Sequence, residues 1–173
     1  MHAHHRLRAP EPTIAAWAEH VPTSARALDV AAGGGRHARL FAERGCAVTA
    51  VDRDTEALRK LDAAGIEVVE ADLENDAWPF GERTWDAVIV VDYLWRPLLP
   101  QLVAALDDGG QLLYETFMVG NERHDRPRNP DFLLRDGELR ELAERHGLEV
   151  LSFSQGEVGA PATAVRQRMH ARR

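Results

Sequence analysis

The chain has 173 residues, of which 45% are hydrophobic, with a single cysteine and a formal net charge of −7. A chain of this length hides roughly 70% of the surface it exposes when unfolded, so one domain with a true core needs neither disulfides nor metal. Cys46 has no partner for an internal disulfide and favours a reducing, cytoplasmic setting. The acidic balance, without a long basic run, argues against a nucleic-acid backbone as the main partner. No apolar run approaches the ~20 residues of a membrane helix.

Residues 1–11 lack hydrophobic periodicity and read as a flexible tail, with a single domain over 12–173. His2, His4 and His5 within the tail define no coordination geometry, so no metal site is expected there. Ile14, Trp17 and Val21 recur at helical spacing and predict a short helix ended before Pro22. Strands are expected at Ala27 to Ala31, Ala47 to Val51, Ile66 to Ala71, Ala87 to Val91 and Gln111 to Phe117. Between them lie a helix from Arg36 to Arg44 stopped by Gly45 and one from Thr55 to Ala64 capped by Asp54. A further helix runs from Gln101 to Leu106, with Pro100 in its first turn. Strands alternating with helices mean right-handed βαβ units and a mainly parallel sheet. The last third departs from this pattern, with a helix from Gly137 to His146 followed by strand candidates Leu148 to Phe153 and Ala164 to His170.

The most informative stretch is Ala27-Leu-Asp-Val-Ala-Ala-Gly-Gly-Gly-Arg-His37. Consecutive glycines between a strand and a helix let the backbone turn sharply and approach a ligand with no Cβ in the way. Asp52 lies 19 residues after Gly33, at the carboxyl end of the second strand, where a carboxylate can take both ribose hydroxyls of an adenosine moiety. Gly33-x-Gly35-x-x-Ala38 also matches a dinucleotide fingerprint. Asp29, however, sits inside the first strand, where a negative charge gains nothing from a pyrophosphate but can meet a cationic amino-acid group. Asp72, just past the third strand, can accept from an exocyclic adenine amine. No Gly-Lys-Ser/Thr follows the glycines, so a Walker-type phosphate loop is excluded.

Leu28-Asp-Val-Ala-Ala-Gly-Gly-Gly35, Val51-Asp52, Ala71-Asp72-Leu73 and Trp85-Asp-Ala-Val-Ile-Val-Val91 together resemble the successive motifs of class I S-adenosylmethionine-dependent methyltransferases. The resemblance implies an α/β, Rossmann-like, doubly wound seven-stranded sheet of order 3-2-1-4-5-7-6, its last strand antiparallel, with helices on both faces. It also implies S-adenosylmethionine as cofactor. The turn from Asp29 to Gly35, with Ala31 and Gly33, would hold the methionine part, Asp52 the ribose and Asp72 the adenine, with Arg53, Leu73 and Val91 in the same site. Ala31 stands where the family usually has the first glycine of its turn. Within the family, Tyr93-Leu-Trp-Arg-Pro97, Gly110-Gln-Leu-Leu-Tyr-Glu-Thr-Phe117 and Arg126-Pro-Arg-Asn-Pro-Asp-Phe-Leu-Leu134 are similar to small TehB-type proteins. The Asn/Asp-Pro-Pro-Tyr run of base-modifying relatives is missing after strand four, which fits a small-molecule or oxyanion acceptor.

Ligands of open α/β sheets bind beyond the carboxyl ends of the strands. Tyr93 and Arg96, with His124, are therefore the candidate acceptor-orienting residues, and the segment from Gly120 to Asn129 is a candidate lid. Arg123, Arg126 and Arg128 suit an anionic acceptor, while Glu122, Asp125 and Asp131 balance them and suit a salt-bridged loop. Glu115, mid-strand, is either a site residue or half of a structural pair. Trp17 either anchors its helix to the sheet or covers the cofactor. Arg36 and His37 open a helix through their backbone amides. Methyl transfer needs no nucleophile motif, and none is present. An NAD(P)-dependent oxidoreductase and a non-catalytic S-adenosylmethionine-binding protein are the alternative readings.

Overall fold

Alternating side chains of the central strands feed two separate cores, one on each face of the sheet. In the computed structural model, which describes residues 8–61 and 65–173, β1 (Arg26–Val30) sends Leu28 and Val30 to one face and Ala27 to the other. β4 (Trp85–Val91) likewise divides Val88 and Val90 from Ala87, Ile89 and Val91. Strands buried on both faces read as continuous apolar runs, as these do. Helix α1 (Pro12–Ala18) and helix α2 (Arg36–Glu43) cover the second face through Ile14, Trp17, Ala38 and Phe41. The first face is closed by α4 (Leu99–Ala104) and α5 (Glu138–Arg145), with Leu102, Leu139 and Leu142 inward.

The remaining elements are β2 (Ala47–Asp52), α3 (Glu56–Arg59), β3 (Ile66–Glu70), β5 (Leu106–Phe117), β6 (Glu149–Val158) and β7 (Ala164–Arg172). The sheet has the expected order β3-β2-β1-β4-β5-β7-β6. β1 to β5 are parallel, and β7 inserts antiparallel between β5 and β6. Strand order reverses between β1 and β4, so the crevice beyond their carboxyl ends is where this topology binds ligands.

Two expectations need adjustment. The helix expected over Thr55 to Ala64 is one turn, Glu56–Arg59, because Lys60 and Leu61 donate to carbonyls three residues back and close it. Residues 62–64 of that expected helix lie outside the described residues, as do His2, His4 and His5. Leu106, expected at a helix end, opens β5 by pairing with Trp85, and the register shifts before Ala87 pairs with Gln111. Among the described residues, no helix is long and apolar enough to cross a membrane.

Candidate functional site

The turn after β1 is shaped by hydrogen bonds that begin and end within it. Gly35 donates to the Ala32 carbonyl at 2.8 Å, and Gly33 donates to Asp52 Oδ2 at 2.8 Å. Asp52 Oδ1 accepts from Asp54 N, so each oxygen keeps a second acceptor position. Gly35 takes φ 81° and packs beneath Leu58 and Leu61, leaving no room for a Cβ. Ala31 takes φ 52°, a left-handed conformation costing an L-residue roughly 1–2 kcal/mol. The one other non-glycine residue with positive φ among those described is Asp92, at 55°, just past β4. Both strained residues therefore flank the switch point, where unusual backbone is most often functional.

Two cavities open there. The first, of about 290 Å³, is lined by Ala31, Asp52, Arg53, Asp72 and Leu73, with Ala71, Glu74 and Tyr93 completing it. Asp72 is held below its ordinary value by bonds from the Asn75 side chain and the Glu74 N–H. The second, of about 220 Å³, is bounded by Asp92, Tyr93, Leu94 and Thr116, with Glu74, Phe117, Pro127 and Phe132 forming the rest. Tyr93 and Glu74 belong to both. The Tyr93 hydroxyl is buried without a hydrogen-bond partner, and burial, followed by the charge of Glu74, pushes its pKa up to about 12. It is a neutral phenol, free to donate.

Other expected cofactor residues stand behind the first cavity. Asp29 is buried and accepts from Ala38 N at 2.8 Å, fixing the first turn of α2. Its burial raises its pKa to about 7, against the opposing pull of the Ala38 N–H. Val91 is a core residue packed with Ile89 on the α2 side, not a wall of either cavity, because the strand's alternation turns it away.

The acceptor-side expectations are corrected more deeply. Arg96 spends its guanidinium on Glu138, at 2.7 and 2.9 Å, and on the carbonyls of Asp131 and Leu133, at 3.0 and 2.8 Å. It positions the 130–138 segment and does not line the second cavity. Burial alone would raise Glu138, but Arg96 and the Arg135 N–H together hold it below its ordinary value. His124 turns toward Glu157, 3.7 Å away, and lines neither cavity. Arg123, Arg126 and Arg128 are exposed, and of the segment from Gly120 to Asn129 only Pro127 reaches the cavity. Asn121 is the anchor of this segment. It accepts from Val165 N at 3.0 Å and donates to the carbonyls of Asp125 and Pro127.

A balanced ionic network backs the second cavity. Asp92 pairs with Arg166 at 2.7 Å and Arg36 at 3.1 Å; Arg36 also pairs with Glu11. Fully buried Glu115 pairs with Arg166 and Arg168 through Oε1, and burial raises its pKa against the pull of both. Arg36 and His37 thus act through side chains after all, since His37 Nε2 accepts from Glu11 N at 3.1 Å. Burial, then Arg36, lowers His37 to about 4 and keeps it a neutral acceptor. Trp17 anchors its helix, its ring 5.5 Å from that of His170. Asp92, Glu74, Phe132 and Arg166 are not among the site residues expected from the sequence, although Glu74 ends the acidic segment past the third strand. Asp92 also had a local signal, as the first polar residue after an apolar strand.

Residues 27–110 match the family model described as a methyltransferase domain. No curated protein matches the chain. Among solved structures, TehB from Haemophilus influenzae superposes with a TM-score of 0.76 at 18% identity. The match covers 98% of this chain, which spans 64% of the TehB chain. The 1,6-didemethyltoxoflavin-N1-methyltransferase of Burkholderia thailandensis, solved with its acceptor and S-adenosylhomocysteine, gives 0.71 at 22% identity, covering 94% of this chain and 77% of that one. The 4+2 cyclase SpnF gives 0.71 at 14%, covering 92% and 79%. These structural likenesses speak for the fold, which hosts more than one reaction. The matched residues, just under half of the chain, hold β1 to β4 of the sheet described above, so the likeness to a methyltransferase domain falls on the strands that border the switch point.

Proposed function

We propose that the chain transfers the methyl group of S-adenosylmethionine to a small-molecule acceptor held in the second cavity. The observation carrying this reading is that two cavities at the switch point share Tyr93 and Glu74, so an occupant of one adjoins an occupant of the other. The first cavity suits a nucleoside: its size is near the lower end of small-molecule sites, and its carboxylates Asp52 and Asp72 can accept from hydroxyl and amine donors. In this reading Asp52 takes the ribose, Asp72 and Leu73 the adenine, and the Ala31 to Gly35 turn the amino-acid part. When bound, S-adenosylmethionine supplies an activated methyl on a sulfonium. The protein then has to hold the acceptor at near-attack distance, which is worth up to about 7–11 kcal/mol. Tyr93 orients, Thr116 and Leu94 wall the cavity, and Arg96 holds the segment carrying Phe132. That the Burkholderia enzyme, of the same fold, was solved with a bound small molecule beside S-adenosylhomocysteine supports a small-molecule acceptor.

Calorimetry with S-adenosylhomocysteine and with NAD, followed by a labelled-methyl transfer screen, tests the proposal. Binding of the first ligand alone, with label transferred to a small molecule, is expected. Binding of NAD in its place returns the oxidoreductase reading, and binding without transfer to any acceptor returns the non-catalytic one.

A further inference from the structure

The second cavity carries a charge that no ion pair among the described residues balances. Asp92, at its inner wall, is neutralised from behind, since Glu11, Asp92 and Glu115 are matched by Arg36, Arg166 and Arg168. Glu74 has no such partner; among the described residues its carboxylate is in no ion pair and accepts no side-chain hydrogen bond. No arginine, lysine or histidine lines the cavity. The cations expected on sequence grounds to receive an anionic acceptor are committed elsewhere, Arg96 to Glu138 and His124 toward Glu157. An oxyanion placed here would lose hydration and find, among the residues that line the cavity, only negative or neutral groups, which is costly.

The walls add shape. Phe117 lies on one side, its ring covered by the Arg166 guanidinium at 4.2 Å, and Phe132 lies on another. Phe132 is 41% exposed, one of four large apolar side chains so open among the described residues. An aromatic ring left in water at the lip of a cavity gains area by covering a flat partner. The buried Tyr93 hydroxyl, without a partner, is the polar atom best placed to orient one.

From this cavity, and resting on the methyl-transfer reading above, we propose that the acceptor is a small, flat nitrogen compound, an aromatic amine or N-heterocycle that presents an N–H or cationic group to Glu74. The reacting nitrogen is neutral and keeps its lone pair. It attacks the methyl carbon and forms the N–C bond as the C–S bond breaks, with that electron pair staying on sulfur to leave a thioether. The nitrogen, now cationic, releases its proton to solvent at the cavity mouth. No oxidant or metal enters the balance.

The test uses the full chain loaded with S-adenosylhomocysteine, titrated by calorimetry and ligand-observed NMR with benzimidazole, 4-aminopyridine and tryptamine on one side and selenite and benzoate on the other. The same compounds then serve as acceptors for labelled methyl. The nitrogen compounds are expected to bind and accept label, and the anions to do neither. Glu74→Gln is expected to weaken nitrogen-compound binding at least tenfold, and Tyr93→Phe about threefold, each by a larger factor than it weakens S-adenosylhomocysteine binding, because both residues also line the first cavity. Binding of the anions, or of neither class, overturns the proposal. So does a Glu74→Gln protein that loses S-adenosylhomocysteine affinity but not amine affinity, since Glu74 then serves the cofactor. Failure of the wild-type protein to bind S-adenosylhomocysteine is a different result, which defeats the methyl-transfer reading itself.

Discussion

The two cavities adjoin at Tyr93 and are held together by opposite means. Around the first, the hydrogen bonds are short in sequence: Asp72 to Glu74 and Asn75, Asp52 to Asp54, and at most 19 positions from Asp52 to Gly33. Around the second, they cross the chain, joining Arg96 to Glu138 over 42 positions, Asn121 to Val165 over 44 and Glu115 to Arg166 over 51. A wall made of one turn is rebuilt whenever that turn folds. A wall made of distant ion pairs exists only when the C-terminal strands are docked, so the second cavity is expected to depend on tertiary packing far more than the first does.

The largest expected effect tests that dependence. Arg96→Ala leaves buried Glu138 without its bidentate partner, and removing one member of a buried pair costs about 3–5 kcal/mol, with the lower end expected because Arg96 is 33% exposed. Denaturant unfolding measures the loss. Affinity for S-adenosylhomocysteine is expected to stay within about twofold, or ~0.4 kcal/mol, if the two sides are separable.

Asp52→Ala is the converse. Two charge-assisted hydrogen bonds, each worth roughly 1.5–3 kcal/mol and overlapping in effect, predict a loss of about 2–4 kcal/mol in S-adenosylhomocysteine binding by calorimetry. Unchanged affinity removes Asp52 from the ribose site.

His37 sharpens the comparison at the seam, where the segment around Glu11 meets α2. Its folded-state pKa of about 4 lies below the ordinary value of 6.5, so the unfolded chain takes up the proton first as pH falls. The stability advantage of wild type over His37→Gln is therefore present above pH 6.5 and shrinks as pH drops toward 4. The change is at most roughly 3 kcal/mol, at about 1.4 kcal/mol per tenfold. Unfolding curves of the two proteins at several pH values measure it.

The smallest effect belongs to Ala31. A glycine removes the left-handed strain but adds unfolded-state entropy, so Ala31→Gly is expected to stabilise by about 0.5–1 kcal/mol. Thermal unfolding with and without S-adenosylhomocysteine checks this, and a loss of stability contradicts the strain assigned to that turn.

The same contrast decides what could be read from the sequence. Gly33, Gly35 and Asp52 could be read together as a candidate site because the turn that joins them is contiguous or nearly so. Strand order followed from the resemblance, and the two cores from simple alternation. Arg96 misled because its sequence position, just past β4, is a binding position, while its partner lies 42 residues away and carries no local mark. The roles of Glu74 and Phe132 were invisible for the same reason: each becomes a cavity wall only when loops from β3 and β5 meet. Asp29 read as a ligand for a charged group, whereas burial and the Ala38 amide make it a support for α2.

A crystal structure of the chain with S-adenosylhomocysteine tests the central claim most directly. The account predicts the ribose hydroxyls on Asp52, the adenine beside Asp72 and Leu73, the amino-acid part along the turn after Ala31, and the cavity between Tyr93 and Phe132 left open beside the sulfur. Adenosine bound anywhere else, or a homocysteine chain filling the Phe132 cavity, would contradict it.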